Sequence, residues 1–209
     1  MSILEEEVLA VFDENHLKIG EQSRDIIHRQ GLWHETFHCW IVHIEEGVPY
    51  LYFQQRSNVK KDFPNLFDIT AAGLLLAHES VNDGIREVEE ELGLTIKMEE
   101  LQPIGMIKDT ILQGEFIDNE FAHTFLLIAE KFQLAFHLQK EEVSGIFTSP
   151  LSEVVRLYDK KVDRISLQCI TSYNKEVSQI GVTLKDFVPH GIRYMKEVLN
   201  SIKEKGEVI

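Results

Sequence analysis

The sequence predicts a single α+β domain, on three observations. The chain is 44% hydrophobic, with twelve Phe and only five Pro, which is the composition of a packed core and not of a disordered chain. Short β-rich runs share it with one strongly acidic amphipathic segment. No linker, internal repeat or low-complexity stretch divides the 209 residues, a length that suits one domain with appendages.

The elements follow in order. "EVLAVFDENHLKIG" reads as a strand entering a polar turn, and "EQSRDIIHRQG" as a short helix ending at Gly31. Together they form a preface over about residues 1–31. "HETFHCWIVHIEEGVPYLYFQQRS" gives two β-rich runs about a turn at Glu45-Glu46-Gly47-Val48-Pro49, a hairpin signal that opens the core sheet. A turn at Pro64-Asn65 precedes a small-residue strand ending near Glu79, and an acidic helix spans roughly 81–92 with Gly93 at its C′ position. Strand-like runs recur at "QPIGMIKDTIL" and "FAHTFLLIAEKFQLAFHL", which carries the core to about residue 150. From about Ser149 the chain reads mainly helical, a C-terminal extension over about 150–209.

A formal charge of −14 argues against nonspecific affinity for nucleic acid or an anionic membrane, since a phosphate backbone is held by clustered Lys and Arg. A phosphorylated small molecule stays open if a metal or a local basic patch offsets the acidic field. Cys39 and Cys169 form no CxxC pair, so neither a disulfide framework nor a structural zinc site is suggested, and both are expected to be buried. The acidic N-terminus resembles no signal peptide and no apolar run is long enough to span a bilayer, so a cytoplasmic protein is expected.

The chemistry lies in "GIREVEEELGL", residues 84–94. On a helix, Glu87, Glu90 and Glu91 fall at i, i+3 and i+4 and share a face, while Val81, Ile85, Val88 and Leu92 form a separate apolar stripe. Glu89 lies apart and reads as solvated. Three such carboxylates, partly withdrawn from water, repel by about 3 kcal/mol per pair at about 5.5 Å and an effective dielectric of about 20. An oxygen-only set suits a hard cation such as Mg²⁺. Spacing alone leaves a metal cradle and a solvated acidic face both open.

The stretch "GLLLAHESVNDGIREVEEELGL", Gly73 to Leu94, resembles the Nudix box, G-x5-E-x7-R-E-U-x-E-E-x-G-U with U aliphatic. Gly73, Glu79, Arg86, Glu87, Val88, Glu90, Glu91, Gly93 and Leu94 match its specified residue types. One spacing departs: six residues, not seven, separate Glu79 from Arg86, and His78 stands where glycine is usual. The likeness extends over about residues 5–150 to the Nudix branch similar to isopentenyl-diphosphate isomerase, through "GLWHETFHCWI", "QQRSNVKKDFPNLFDITAAG" and "EEVSGIF". It implies an α/β/α sandwich with a mixed central sheet. Within that branch the isomerase has a cysteine and a metal-binding histidine at the box entrance, where this chain has Ala71-Ala72-Gly73-Leu74. The complete Arg86-Glu87 and Glu90-Glu91 array is instead the hydrolase version.

The resemblance therefore implies a MutT-like Nudix pyrophosphatase. It would hydrolyse a phosphoanhydride in a nucleoside diphosphate linked to another moiety, with Mg²⁺ or Mn²⁺ held by Glu87, Glu90, Glu91 and Glu79. Arg86 would orient Glu87 by a charge-assisted hydrogen bond. The general base in the family is a box glutamate or a later loop carboxylate, which makes Glu120 and the pair Glu141-Glu142 candidates beside Glu87 and Glu90. Arg56, Lys60 and Lys61 take places that resemble diphosphate-contacting positions; the other reading is a solubilised turn. His34 and His38 have i, i+4 spacing, but in a strand they would lie about 13 Å apart, too far to share a zinc ion. Trp40 and Phe37 read as core, with Trp33 a candidate border to the substrate. The alternatives are an isomerase acting on a prenyl diphosphate and a non-catalytic nucleotide sensor. A homodimer is the expected assembly by analogy, with "VTLKDFVPHGIRYMKEVLNSIKEK" as its candidate surface.

Overall fold

In the computed structural model, which describes residues 7–130, 134–173 and 178–206, helices cover both faces of one mixed sheet. The preface forms β1 (Val8–Phe12), β2 (Lys18–Ser23) and α1 (Arg24–Gln30), and Gly31 closes the helix in the left-handed conformation. Next come β3 (Trp33–Glu45) and β4 (Val48–Arg56). Glu46 and Gly47 both take positive φ, 51° and 77°, which is the tight two-residue connection that a hairpin's twist favours. Two short strands follow, β5 (Phe67–Asp68) and β6 (Ala71–Leu74).

The acidic helix begins as a 3-10 turn over Val81–Ile85 and becomes α2 (Arg86–Leu92). The six-residue spacing before Arg86 is absorbed in that tighter turn, which Ser80 and Asp83 cap reciprocally. Then come β7 (Gln102–Gln113), β8 (Phe116–Ile128), β9 (Val143–Pro150), α3 (Leu151–Tyr158), β10 (Ile165–Ser172), β11 (Gln179–Val182) and α4 (Ile192–Gly206). The strands run β11-β10-β9-β4-β3-β1-β2, with β8 beside β3 and β7 beside β8. The β3–β8 pair is parallel and the other pairs antiparallel, so the sheet is mixed.

Alternation along β3 assigns the layers. Phe37, Cys39 and Ile41 face one way, onto Val88 and Leu92 of α2, while Trp40 and Val42 face the other, onto α3 and α4. Cys39 is accordingly buried, whereas Cys169 in β10 is only half-buried. No helix among the described residues is long and apolar enough to cross a membrane.

The structure departs from the sequence reading at three places. The strand after Pro64 stops at Leu74, because the chain then passes from β3 to β1, Leu75 N–H bonding Glu35 O of β3 and Ala77 N–H bonding Val8 O of β1. Of the apolar run at 121–138, residues 131–133 lie outside the described residues and β8 ends at Ile128; Leu134, Phe136 and Leu138 cover the end of α2, whose carbonyls at Glu91 and Leu92 accept from Gln139 and His137. The segment after Ser149 is helical at its two ends, but between them it adds β10 and β11 to the sheet.

Candidate functional site

Packing α2 by Val88 and Leu92 turns its acidic face into a cleft of about 490 Å³. Glu87, Glu90 and Glu91 all line it, as do Arg86, Arg56 and Lys60. Glu91 is buried, and its Oε2 accepts from Ala72 N–H and Gln54 Nε2–H, each at 3.1 Å. Glu87 lies against Gly73, where an added Cβ would sit 2.0 Å from its Cδ. Only glycine leaves room for that carboxylate.

Arg86 is the hub of the box. Its Nε and Nη2 reach the two oxygens of Glu79 at 2.7 and 3.1 Å, and its Nη1 reaches Glu87 at 2.5 Å and Glu90 at 3.1 Å. A further bond to Leu74 O ties it to the strand before the box loop. Glu79 is thereby turned toward Arg86 and Leu76 N–H, and it does not line the cleft. In this geometry it steadies Arg86.

Burial pushes the Glu87 carboxyl up to about 7, helped by the charge of Glu90 and opposed by Arg86. Burial, with the charge of Glu87, also pushes Glu91 well above the carboxylate range. The two acids resist joint ionisation, and a cation is what would relieve them. Their donors are all oxygens, which fits an ion that keeps several waters and takes one or two carboxylates.

Of the basic residues, Arg56 bonds Asp68 through Nη1 at 2.9 Å and the Asp62 carbonyl through Nε and Nη2. Lys60 pairs with Glu142 across the cleft mouth. Lys61 does not line the cleft; it lies exposed beside Asp25.

Glu120 does reach the cleft, but burial and the charge of Asp118 raise its carboxyl well above the usual range. Glu142 lines the cleft and Glu141 does not.

The wall opposite α2 holds groups with no motif in sequence. His28 from α1, His34 from β3 and Asp118 from β8 converge, with both Nε2 atoms 3.3–3.4 Å from Asp118 Oδ1. His34 Nδ1 lies 3.1 Å from Leu32 O, and the buried His34 Nε2 and Asp118 Oδ1, 3.3 Å apart, make no hydrogen bond of good geometry. This is a nitrogen and oxygen donor set of the kind that transition-metal ions take. His34 thus meets His28 and not His38, whose Nδ1 lies 2.8 Å from Tyr194 Oη. Asp109, Glu120 and His190 form another compact group, but both His190 nitrogens already face carboxylates and are not free to ligate.

Comparison with known proteins accords with this geometry. Residues 32–168 match the NUDIX domain family. Over 96% of its length the chain is 38% identical to an uncharacterised Nudix hydrolase of Clostridium acetobutylicum, 99% of which is covered. It is 26% identical to an isopentenyl-diphosphate delta-isomerase of Serratia proteamaculans, over 58% of this chain and 66% of that one. The fold matches a solved Deinococcus radiodurans structure with a TM-score of 0.51 at 17% identity, over 71% of this chain and 86% of that one.

Proposed function

Because the chain belongs to the Nudix family, we propose that it is a divalent-metal-dependent pyrophosphohydrolase acting on a nucleoside diphosphate linked to another moiety. The observation that carries this reading is the acid face of α2, with Glu87 and Glu91 raised in proton affinity, lining one cleft with Arg56 and Lys60. A bound Mg²⁺ or Mn²⁺ at Glu87, Glu90 and Glu91 would neutralise the diphosphate and acidify the attacking water. Arg86 bridges Glu87 and Glu90 through one nitrogen and holds both in place. Arg56 and Lys60 receive phosphate oxygens, Arg56 through guanidinium protons and Lys60 as a point charge.

An isomerase reading needs a reactive group at the box entrance. Cys39, paired in register with Ala71, is buried on the α2 face with its thiol pushed up to about 12, and it is inert there.

The test is product release from a panel of nucleoside diphosphate sugars, dinucleoside polyphosphates, NADH, ADP-ribose, CDP and prenyl diphosphates, with and without Mg²⁺ or Mn²⁺. Metal-dependent appearance of two phosphorylated products from one class is expected, with the activity lost in Glu90→Gln. Interconversion of five-carbon diphosphates, or ligand bound without turnover, would replace the hydrolase by one of the alternatives.

Proton linkage gives a second check. Glu87 binds its proton more tightly in the folded chain than in the unfolded one, so its contribution to stability is present at low pH and fades as pH rises from about 4.5 to about 7. Mg²⁺ must displace that proton. Mg²⁺ is therefore expected to bind more tightly at pH 8 than at pH 6, to release protons on binding, and to raise Tm more at the higher pH. Equal affinity and no proton release in calorimetry would place the ion away from these acids.

A further inference from the structure

The C-terminal segment between β11 and α4 carries no box motif, yet it places His190 in the wall of the cleft. His190 is buried and bridges two buried carboxylates, Nδ1 to Asp109 Oδ2 at 2.7 Å and Nε2 to Asp68 Oδ1 at 2.9 Å. Asp109 is itself held, Oδ1 accepting from Gly191 N–H at 2.8 Å and from Thr110 N–H at 2.9 Å. Asp68 Oδ1 also accepts from Ile69 N–H at 2.8 Å, and its other oxygen, Oδ2, takes Arg56 Nη1–H at 2.9 Å.

The result is one chain of alternating charge, Asp109, His190, Asp68 and Arg56, in which each member fixes the next. Its carboxyls lie below their ordinary range. Burial works against a charged His190, but its hydrogen bonds to Asp109 and Asp68 and their charges outweigh that and raise the ring to about 10. At neutral pH the ring is an imidazolium and donates at both ends. Asp68, pinned through one oxygen by His190, has a single direction in which to present the other.

Three of the five N–H donors of Arg56 are spent on Asp68 and Asp62 O, which leaves one proton on each terminal nitrogen for a ligand in the cleft. The direction of those two protons is set by the plane of the guanidinium, and that plane is set by Asp68.

We propose that His190 is a positioning residue for diphosphate binding: by locking Asp68 it holds the Arg56 guanidinium in the orientation in which Arg56 meets the phosphate oxygens. The proposal rests on the reading of Arg56 as a phosphate ligand, and it gives the C-terminal segment a part in substrate recognition. His190 touches neither the reacting bond nor the box.

The test is a double-mutant cycle read on inorganic pyrophosphate binding by calorimetry, in the full-length wild type, Arg56→Ala, His190→Asn and the double variant. Binding to His190→Asn is expected to weaken roughly tenfold, the scale of one charge-assisted hydrogen bond. The double variant is expected to bind no more weakly than Arg56→Ala alone. On a substrate that turns over, KM rises with that affinity loss while kcat stays within about threefold, since only uniform binding is affected. A structural role for His190 would add to the Arg56 loss in the cycle, and that additivity overturns the proposal. So does pyrophosphate binding unchanged in His190→Asn or in Arg56→Ala.

Should His190→Asn not fold, Gly191→Ala carries the same cycle, because its new Cβ would lie 2.7 Å from Asp109 Oδ1 and loosen the far end of the chain. Binding of pyrophosphate does not depend on hydrolysis. A protein that shows the coupling but cleaves nothing in the panel refutes the hydrolase and leaves the positioning role standing, and a hydrolase without the coupling does the reverse.

Discussion

Glu91→Gln is expected to lower kcat by roughly 100- to 1,000-fold, which corresponds to about 3–4 kcal/mol of lost charge stabilisation in the transition state. The substitution suits the site sterically. A glutamine can keep an acceptor oxygen toward Ala72 N–H and Gln54 Nε2–H, so the local hydrogen bonds persist while the negative charge and one ligand oxygen vanish. The metal-free fold should not suffer, because Glu91 is a buried acid beside Glu87 and its charge is a burden there. The expected signature is thus a collapsed turnover and a weakened Mg²⁺ response with an unchanged or raised Tm. Wild-type kcat in this variant would remove Glu91 from the site.

Gly73→Ala is expected to cost about 100-fold in kcat through a different route, displacement without change of charge. The new Cβ would lie 2.0 Å from Glu87 Cδ and 2.1 Å from Oε1, so one partner must move. Gly73 is paired with Phe37 in the sheet, and its strand is held there. The Glu87 side chain gives way, out of the grip of Arg86 and out of the cleft. Gly73 does not have a positive φ, so backbone strain contributes nothing and Tm should shift little. Full activity in a correctly folded Gly73→Ala protein would show that the position of Glu87 is not required.

The parts of this site that could be read in sequence are those set by local geometry. The i, i+3, i+4 spacing of Glu87, Glu90 and Glu91 is fixed by helical pitch, and Gly31, Gly47 and Gly93 mark left-handed positions that few other residues fill. Strand β10 is not legible in sequence although its burial alternates over Ile165, Ser166 and Leu167, because a short apolar run beside helical segments has no length with which to announce itself. Residues 134–138 alternate like a strand for another reason, since they lay apolar side chains over the end of α2.

The opposite wall could not be read at all. His28, His34 and Asp118 come from three elements, and His190 lies 122 residues from Asp68. No periodicity links such positions; only the tertiary packing does. Glu120 reaches the cleft as expected, and burial with the charge of Asp118 raises its carboxyl above the usual range. Glu79 and Lys61, named with the box and with the basic cluster, sit outside the cleft and serve a neighbouring charge instead.

The alternating chain that ends at His190 has a consequence for biosynthesis. A ribosome adds about 5–20 residues per second, so the Nudix box is made several seconds before the roughly hundred further residues that bring His190. Until then Asp68 has only Arg56 beside it and Asp109, among the described residues, has no cation at all, and a buried acid without a counter-charge disfavours closure of the half-made wall. A chain terminated before His190 therefore carries its fault in the interior, as an unfinished cleft wall open to proteolysis.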